Sequence, residues 1–200
     1  QHHLDGYCIR CWPELRNQLP VTACLSQARM SEDGIASACE RDFPALVTTY
    51  VLNHLAGSPA FAFDVTAYLE DQNTVQLAHC GAADLSLAAD PAKAVLRRHM
   101  RAGTGATLEF AFKEGTVTLA KLLLPVGGRL RLFAARGQVI PTASEVRGSV
   151  ATVRPEPSAA AFIGTMMREG VEHHVALVYG DWTAELALFC ELTGLRLLSP

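Results

Sequence analysis

Two carboxylates and a histidine of this sequence have the types and settings that metal-assisted proton transfer needs. Glu40 directly follows the small apolar run Ile35-Ala36-Ser37-Ala38-Cys39, at the carboxyl end of an expected buried strand. In open α/β sheets that edge is where ligands bind. A plainer role, capping the next helix or pairing with Arg41, suits the residue equally. Asp64 lies within Pro59-Ala60-Phe61-Ala62-Phe63-Asp64-Val65, where an unpaired carboxylate destabilises the strand. Either a cation or hydrogen-bond donors meet it, or alternation turns it to water at a strand edge. Glu172-His173-His174 precedes the apolar run Val175-Ala176-Leu177-Val178. Neighbouring imidazoles on an extended segment point to opposite faces, so one of the pair serves a given site. A Glu, an Asp and a neutral imidazole make a mixed O,O,N ligand set with positions left open for a substrate.

Weaker signals surround these. His79-Cys80-Gly81 ends a strand, and His79 reads as a metal ligand, a substrate contact or a satisfied interior imidazole. Trp12, just past a strand end, offers a face to a sugar ring or packs half-buried. Cys8 and Cys11 form a single C-x-x-C without a second pair, which is poor support for a structural zinc. Gly103-Thr104-Gly105 reads as a turn, and no G-x-S-x-G nucleophile pattern occurs. Met166-Met167 reads as a buried helix face, and His2-His3 as a remnant or loop tail.

The elements that must position these groups change in texture along the chain. Up to Gly57 the pattern is α/β, with strands over Gly6–Cys11 and Gly34–Cys39 and a weak helix over Thr22–Met30. The strongest helix follows: Asp42 caps it, Pro44 suits its first turn, and Phe43, Leu46, Val47, Tyr50, Val51 and Leu55 recur at helical spacing. Gly57-Ser58-Pro59 ends it. Strands then crowd together over Ala60–Tyr68, Thr74–His79, Ala106–Phe112, Thr116–Leu124, Arg129–Ile140 and Gly148–Val153, a texture that favours antiparallel pairing in a barrel or sandwich. A helix over Ser158–Arg168, a strand over His174–Tyr179, a helix over Thr183–Leu192 and a short strand over Leu195–Leu198 close the chain. The expected class is α+β: the tail of a Rossmann-like α/β domain over residues 1–57, then a mainly antiparallel, β-barrel-like domain over 58–200.

Composition narrows the function. Half of the 200 residues are apolar and 18% charged, which excludes a disordered tail. The longest apolar runs, such as Leu122–Val126, fall far short of the roughly 20 residues that span a bilayer. With 17 basic against 20 acidic residues the net charge is -3. Basic residues cluster only briefly, at Arg97-Arg98-His99-Met100-Arg101, so neither nucleic acid nor a membrane is an expected partner. Six cysteines without a secretory signal fit a reduced, cytoplasmic protein. Strand-like sequence begins almost at Gln1, as in a chain cut from something longer.

Taken together, Cys11-Trp12-Pro13-Glu14, Ala38-Cys39-Glu40-Arg41-Asp42, Phe63-Asp64, His79-Cys80-Gly81 and His173-His174-Val175-Ala176-Leu177-Val178-Tyr179-Gly180 resemble the C-terminal portion of the L-fucose isomerase family. L-arabinose isomerases are similar at a greater distance. The resemblance covers nearly the whole chain, in order. It implies an aldose–ketose isomerase that uses a divalent cation, commonly Mn2+. Carried over, Glu40 and Asp64 hold the metal and move protons, and His174 is the third ligand, with His173 the alternative. His79 is similar to a site histidine of the arabinose branch, and Trp12 to a substrate-stacking position. The implied partner is a small sugar, and the implied assembly a homo-oligomer, trimer or hexamer. A non-catalytic sugar-binding, metal-binding or assembly module is the rival reading.

Overall fold

A computed structural model describes residues 4–125, 127–142 and 147–200; His2 and His3 lie outside them, as does Val126 at the end of one apolar run. The chain opens with β1 (Gly6–Cys8), shorter than the sequence suggests, because the backbone turns into a helical segment over Cys11–Leu15. Then come α1 (Cys24–Glu32) and β2 (Ala36–Ala38), which pairs parallel with β1 from Gly6 opposite Ala36 to Cys8 opposite Ala38.

Two consecutive non-glycine residues, Glu40 and Arg41, take the left-handed backbone, with φ of 57° and 61°. The turn is pinned by Arg41 N–H donating to Ile9 O at 3.1 Å and Asp42 N–H donating to Cys39 O at 3.0 Å. It delivers the chain into α2 (Phe43–Ala56), where Asp42 Oδ1 accepts from Ala45 N–H at 2.8 Å and Gly57 ends the helix in the left-handed region. The expected cap and stop are both present.

The rest is built on one large sheet. Its strands are β3 (Phe61–Leu69), β4 (Thr74–His79), β5 (Val95–Arg98), β6 (Ala106–Ala111), β7 (Gly115–Leu123), β8 (Arg131–Ile140), β9 (Ser149–Pro155), β10 (His174–Tyr179) and β11 (Arg196–Leu198). The order is β11-β8-β7-β10-β3-β4-β9-β6-β5. The far half of β8 also pairs with β9, so β8, β7, β10, β3, β4 and β9 hydrogen-bond in a closed circuit. The sheet is mixed: β6–β9 and β8–β11 run parallel while the other pairs run antiparallel. Helix α3 (Ala159–Glu169), capped by Ser158, and helix α4 (Thr183–Thr193) complete the fold.

Alternation along β10 shows how the sheet is covered on both sides. Val175 and Leu177 enter one core with Phe63, Phe133 and Phe162, while Ala176 and Val178 enter the other with Leu52 of α2 and Leu186 of α4. Strands buried on both faces read as continuous apolar runs, as β10 does. Met166 enters the first core but Met167 is 79% exposed, so the pair is not one buried face. Adjacent helical positions point about 100° apart, which separates the two.

Candidate active site

Register sets the site. In the pairings of β10 with β3 and β3 with β4, His174 lies opposite Asp64, and Asp64 opposite Ala78. Directly opposite residues share a sheet face. Here it is the face that carries Ala176 and Val178 and is covered by α2. The start of α2 and the strained turn before it therefore hang over Asp64 and His174, which places Glu40 and Asp42 beside them.

The distances are short. His174 Nδ1 lies 2.7 Å from Asp42 Oδ2, and its Nε2 lies 2.9 Å from Asp64 Oδ1 and 4.0 Å from Glu40 Oε2. An ionised carboxylate only accepts, so Nδ1–H donates to Asp42. Nε2, by contrast, is buried and lies outside hydrogen-bonding direction to Asp64 despite the proximity. His173 Nε2 comes within 3.5 Å of the same Asp64 oxygen. Ligand atoms of Asp64, His173 and His174 lie within 4.8 Å of one another. The expectation that one imidazole of the pair must turn away is corrected: β10 begins at His174, so the strand alternation does not bind His173.

Beneath this lies a pairing the sequence reading missed. Lys121 of β7 is fully buried, and its Nζ donates to Asp42 Oδ2 at 2.6 Å and reaches Glu172 Oε2 at 3.1 Å. The signal was a lysine within the apolar run Leu119–Leu124, which a buried anion must answer. Burial alone would raise the Asp42 carboxyl, but hydrogen bonds from His174, Lys121 and Ala45 N–H hold it well below the usual carboxylate range. Burial alone would lower the His174 imidazole, but Asp42 and Asp64 raise it to about 9. Asp64 is likewise lowered, since His174 and the charges around it outweigh its burial.

His79 and Trp12 border a neighbouring cleft of about 470 Å³. His79 is buried, its ring centroid 6.1 Å from that of His174, and its Nδ1 has no hydrogen-bond partner. Burial chiefly lowers its pKa, with the Asp64 charge opposing. Gly148 makes this corner possible, because a Cβ there would meet His79 O at 2.0 Å. Trp12 is 43% exposed, and the Arg16 guanidinium lies 4.2 Å over its ring. Glu40 and four cysteines, Cys11, Cys24, Cys39 and Cys80, also line the cleft.

A carboxylate and two imidazoles on facing strands, with an acidic turn above them, form a cation-binding and proton-moving arrangement. The chain belongs to the L-fucose isomerase family: residues 72–199 match the family described as L-fucose isomerase, C-terminal domain. Curated relatives named sulfoquinovose isomerase are similar over most of it. That of Alkalicoccus urumqiensis is 32% identical over 188 residues, 93% of this chain and 42% of the relative. That of Priestia aryabhattai is 32% identical over 184 residues, 92% and 41% respectively. That of Clostridium sp. (strain MSTE9) is 28% identical over 188 residues, 94% and 42%. The chain thus spans about two-fifths of the length of these relatives.

Proposed function

We propose that this chain supplies the metal-holding, proton-moving part of an aldose–ketose isomerase acting on an open-chain sugar. The relatives' name supports sulfoquinovose, 6-deoxy-6-sulfoglucose, as the substrate. The observation that carries the reading is the buried His174 Nε2, 2.9 Å from Asp64 Oδ1 and out of hydrogen-bonding direction. A lone pair facing a carboxylate at that distance is repulsive unless a cation or a proton lies between them. A divalent ion suits this donor set, two carboxylates and imidazole nitrogen.

Asp64 and His174 would hold the ion, with Glu40 completing the set and His173 as the alternative to His174. A bound divalent cation polarises two neighbouring sugar oxygens and so acidifies the hydrogen on the carbon between them. Asp42 fixes the tautomer and orientation of His174 by accepting its Nδ1–H, the usual support for a ligating histidine. Glu40 and Asp64 then shuttle a proton between C2 and C1 and manage the oxygen-bound proton as the carbonyl moves. His79 offers a neutral ring nitrogen to a sugar hydroxyl, and Trp12 a face to the ring.

The circuit of strand pairings supports a barrel-like reading of residues 58–200, and the parallel β1–β2 pair an α/β reading of residues 1–57, with the boundary at Gly57. Exposed Leu188 and Leu192 on α4 are in keeping with a homo-oligomer, trimer or hexamer. Six free thiols are in keeping with a cytoplasmic location. No helix among the described residues is long and apolar enough to cross a membrane.

The test is solvent exchange. In D2O with Mn2+, conversion of the aldose is expected to place deuterium on C1 of the ketose, and Asp64→Asn to abolish it. Metal binding without any deuterium incorporation would leave the non-catalytic module in its place.

A further inference from the structure

The cleft has a second end that the isomerase reading leaves without a task. Away from Glu40 and His79 it is lined by Arg16, His99 and Arg101. Neighbouring arginines are committed elsewhere: Arg10 pairs with Glu14, and Arg97 and Arg147 both pair with Glu109. Among the described residues, Arg16 and Arg101 have no carboxylate within ion-pair distance. They are the two guanidiniums in the cleft with nothing to neutralise.

His99 is the built part of this end. It is 7% exposed, and its Nδ1 accepts from the backbone N–H of Arg101 at 3.1 Å and of Ala102 at 3.0 Å. Those two bonds fix the proton on Nε2, which makes that nitrogen a donor. Burial first, then the charges of Arg101, Arg16 and Arg147, lower its pKa and keep the ring neutral. Nε2–H has no protein acceptor among the described residues. Arg16 is meanwhile stacked flat on Trp12, so its fork is held in the cleft rather than sweeping through solvent. The end therefore presents two charged forks and one fixed neutral donor, and no acceptor.

Resting on the isomerase reading, we propose that Arg16, His99 and Arg101 bind the sulfonate of the sugar and select anionic aldoses over neutral ones. A sulfonate offers three acceptor oxygens and one negative charge, which matches this set of donors. The two ends of the cleft also fix direction. Glu40 and Asp64 repel the sulfonate, so the sugar enters with its carbonyl end toward the carboxylates and C6 toward the arginines. The brief basic cluster at Arg97–Arg101, of no consequence for nucleic acid, contributes two of its members to this end.

Calorimetry on the chain tests this without requiring turnover. Dissociation constants are measured for sulfoquinovose, for glucose 6-phosphate and for neutral 6-deoxyglucose, with Mn2+ binding titrated separately. Wild type is expected to prefer sulfoquinovose over the neutral sugar by about 100-fold. Arg16→Gln and Arg101→Gln should each weaken sulfoquinovose about 10- to 100-fold, the range for a charge-assisted hydrogen bond. The neutral sugar should move less than about threefold, and Arg101→Lys should recover part of the loss. Preference for the phosphate over the sulfonate, or equal loss for charged and neutral sugars, would overturn the assignment. Retained sulfonate selectivity without Mn2+ binding would overturn the metal-site reading and leave the anion site standing. Mn2+ binding with no preference among the three sugars would do the reverse.

Discussion

His174 and Asp42, 132 residues apart in sequence, are joined through Nδ1–H and Oδ2 at 2.7 Å, and Asp42 is at the same time the N-cap of α2. One carboxyl group thus starts a helix, aims a histidine and neutralises the buried Lys121. Its two oxygens divide the work, with Oδ1 on the helix and Oδ2 on the two cationic partners.

That division separates the roles experimentally. Asparagine caps as well as aspartate, so Asp42→Asn should leave α2 intact. It leaves Lys121 buried with only the exposed Glu172, and the expected loss is about 3 kcal/mol, as for breaking a buried pair. Asp42→Asn with Lys121→Met should recover most of that loss in urea unfolding. A double variant no more stable than the single one would show that Lys121 is not the strained partner.

The protonation of His174 gives a pH dependence with a definite sign. Its folded value of about 9 exceeds its ordinary 6.5, so its contribution to stability is complete below about pH 6.5 and lost as pH rises through about 9. Metal binding runs the opposite way, because the ion must displace the Nε2 proton. Mn2+ affinity should therefore rise about tenfold per pH unit between pH 6.5 and 8.5. Titrations at several pH values check this, and a flat profile would contradict it.

Glu40 and Arg41 in the left-handed region make a third expectation. Each costs about 1 kcal/mol or more relative to glycine. Glu40→Gly should be more stable than Glu40→Ala by about 1 kcal/mol, although both lose the carboxylate. Thermal unfolding of the two variants side by side decides it, and equal midpoints would place the strain elsewhere.

The cleft also predicts unequal thiols. The hydrogen bond with Cys39 lowers the Cys11 thiol to about 7, against its burial, whereas burial pushes Cys24 up to about 12. At pH 7.5 an alkylating reagent should modify Cys11 first, and a sugar bound in the cleft should slow it. Mass spectrometry of the peptides reads the order, and modification of Cys24 ahead of Cys11 would contradict it.

Local signals in the sequence carried much of the fold. Strands β4 and β10 fall at the bounds their patterns suggest, and α2 carries its expected Asp42 cap and Gly57 stop. Strand β5 escaped notice because Val95-Leu96-Arg97-Arg98 is an exposed edge with no buried face to impose alternation. The parallel pairings of β6 with β9 and β8 with β11 join segments distant in sequence, which no local pattern encodes. Glu40, Asp64 and His174 were picked out by residue type and by family resemblance. Asp42 was read as a cap alone, since its second oxygen meets partners from β7 and β10 that only the folded chain brings near. His173 was undervalued because strand geometry was assumed one residue too early.

Binding of Mn2+ to the metal-free chain, followed by calorimetry at pH 8 in wild type, Asp64→Ala and His174→Ala, bears most directly on the site. The expected result is one ion per chain, with affinity lowered by more than about 100-fold in either variant, beyond the effect of losing a mere supporting group. Wild type that binds no ion, or variants that bind it as tightly as wild type, would contradict a cation held between these two side chains.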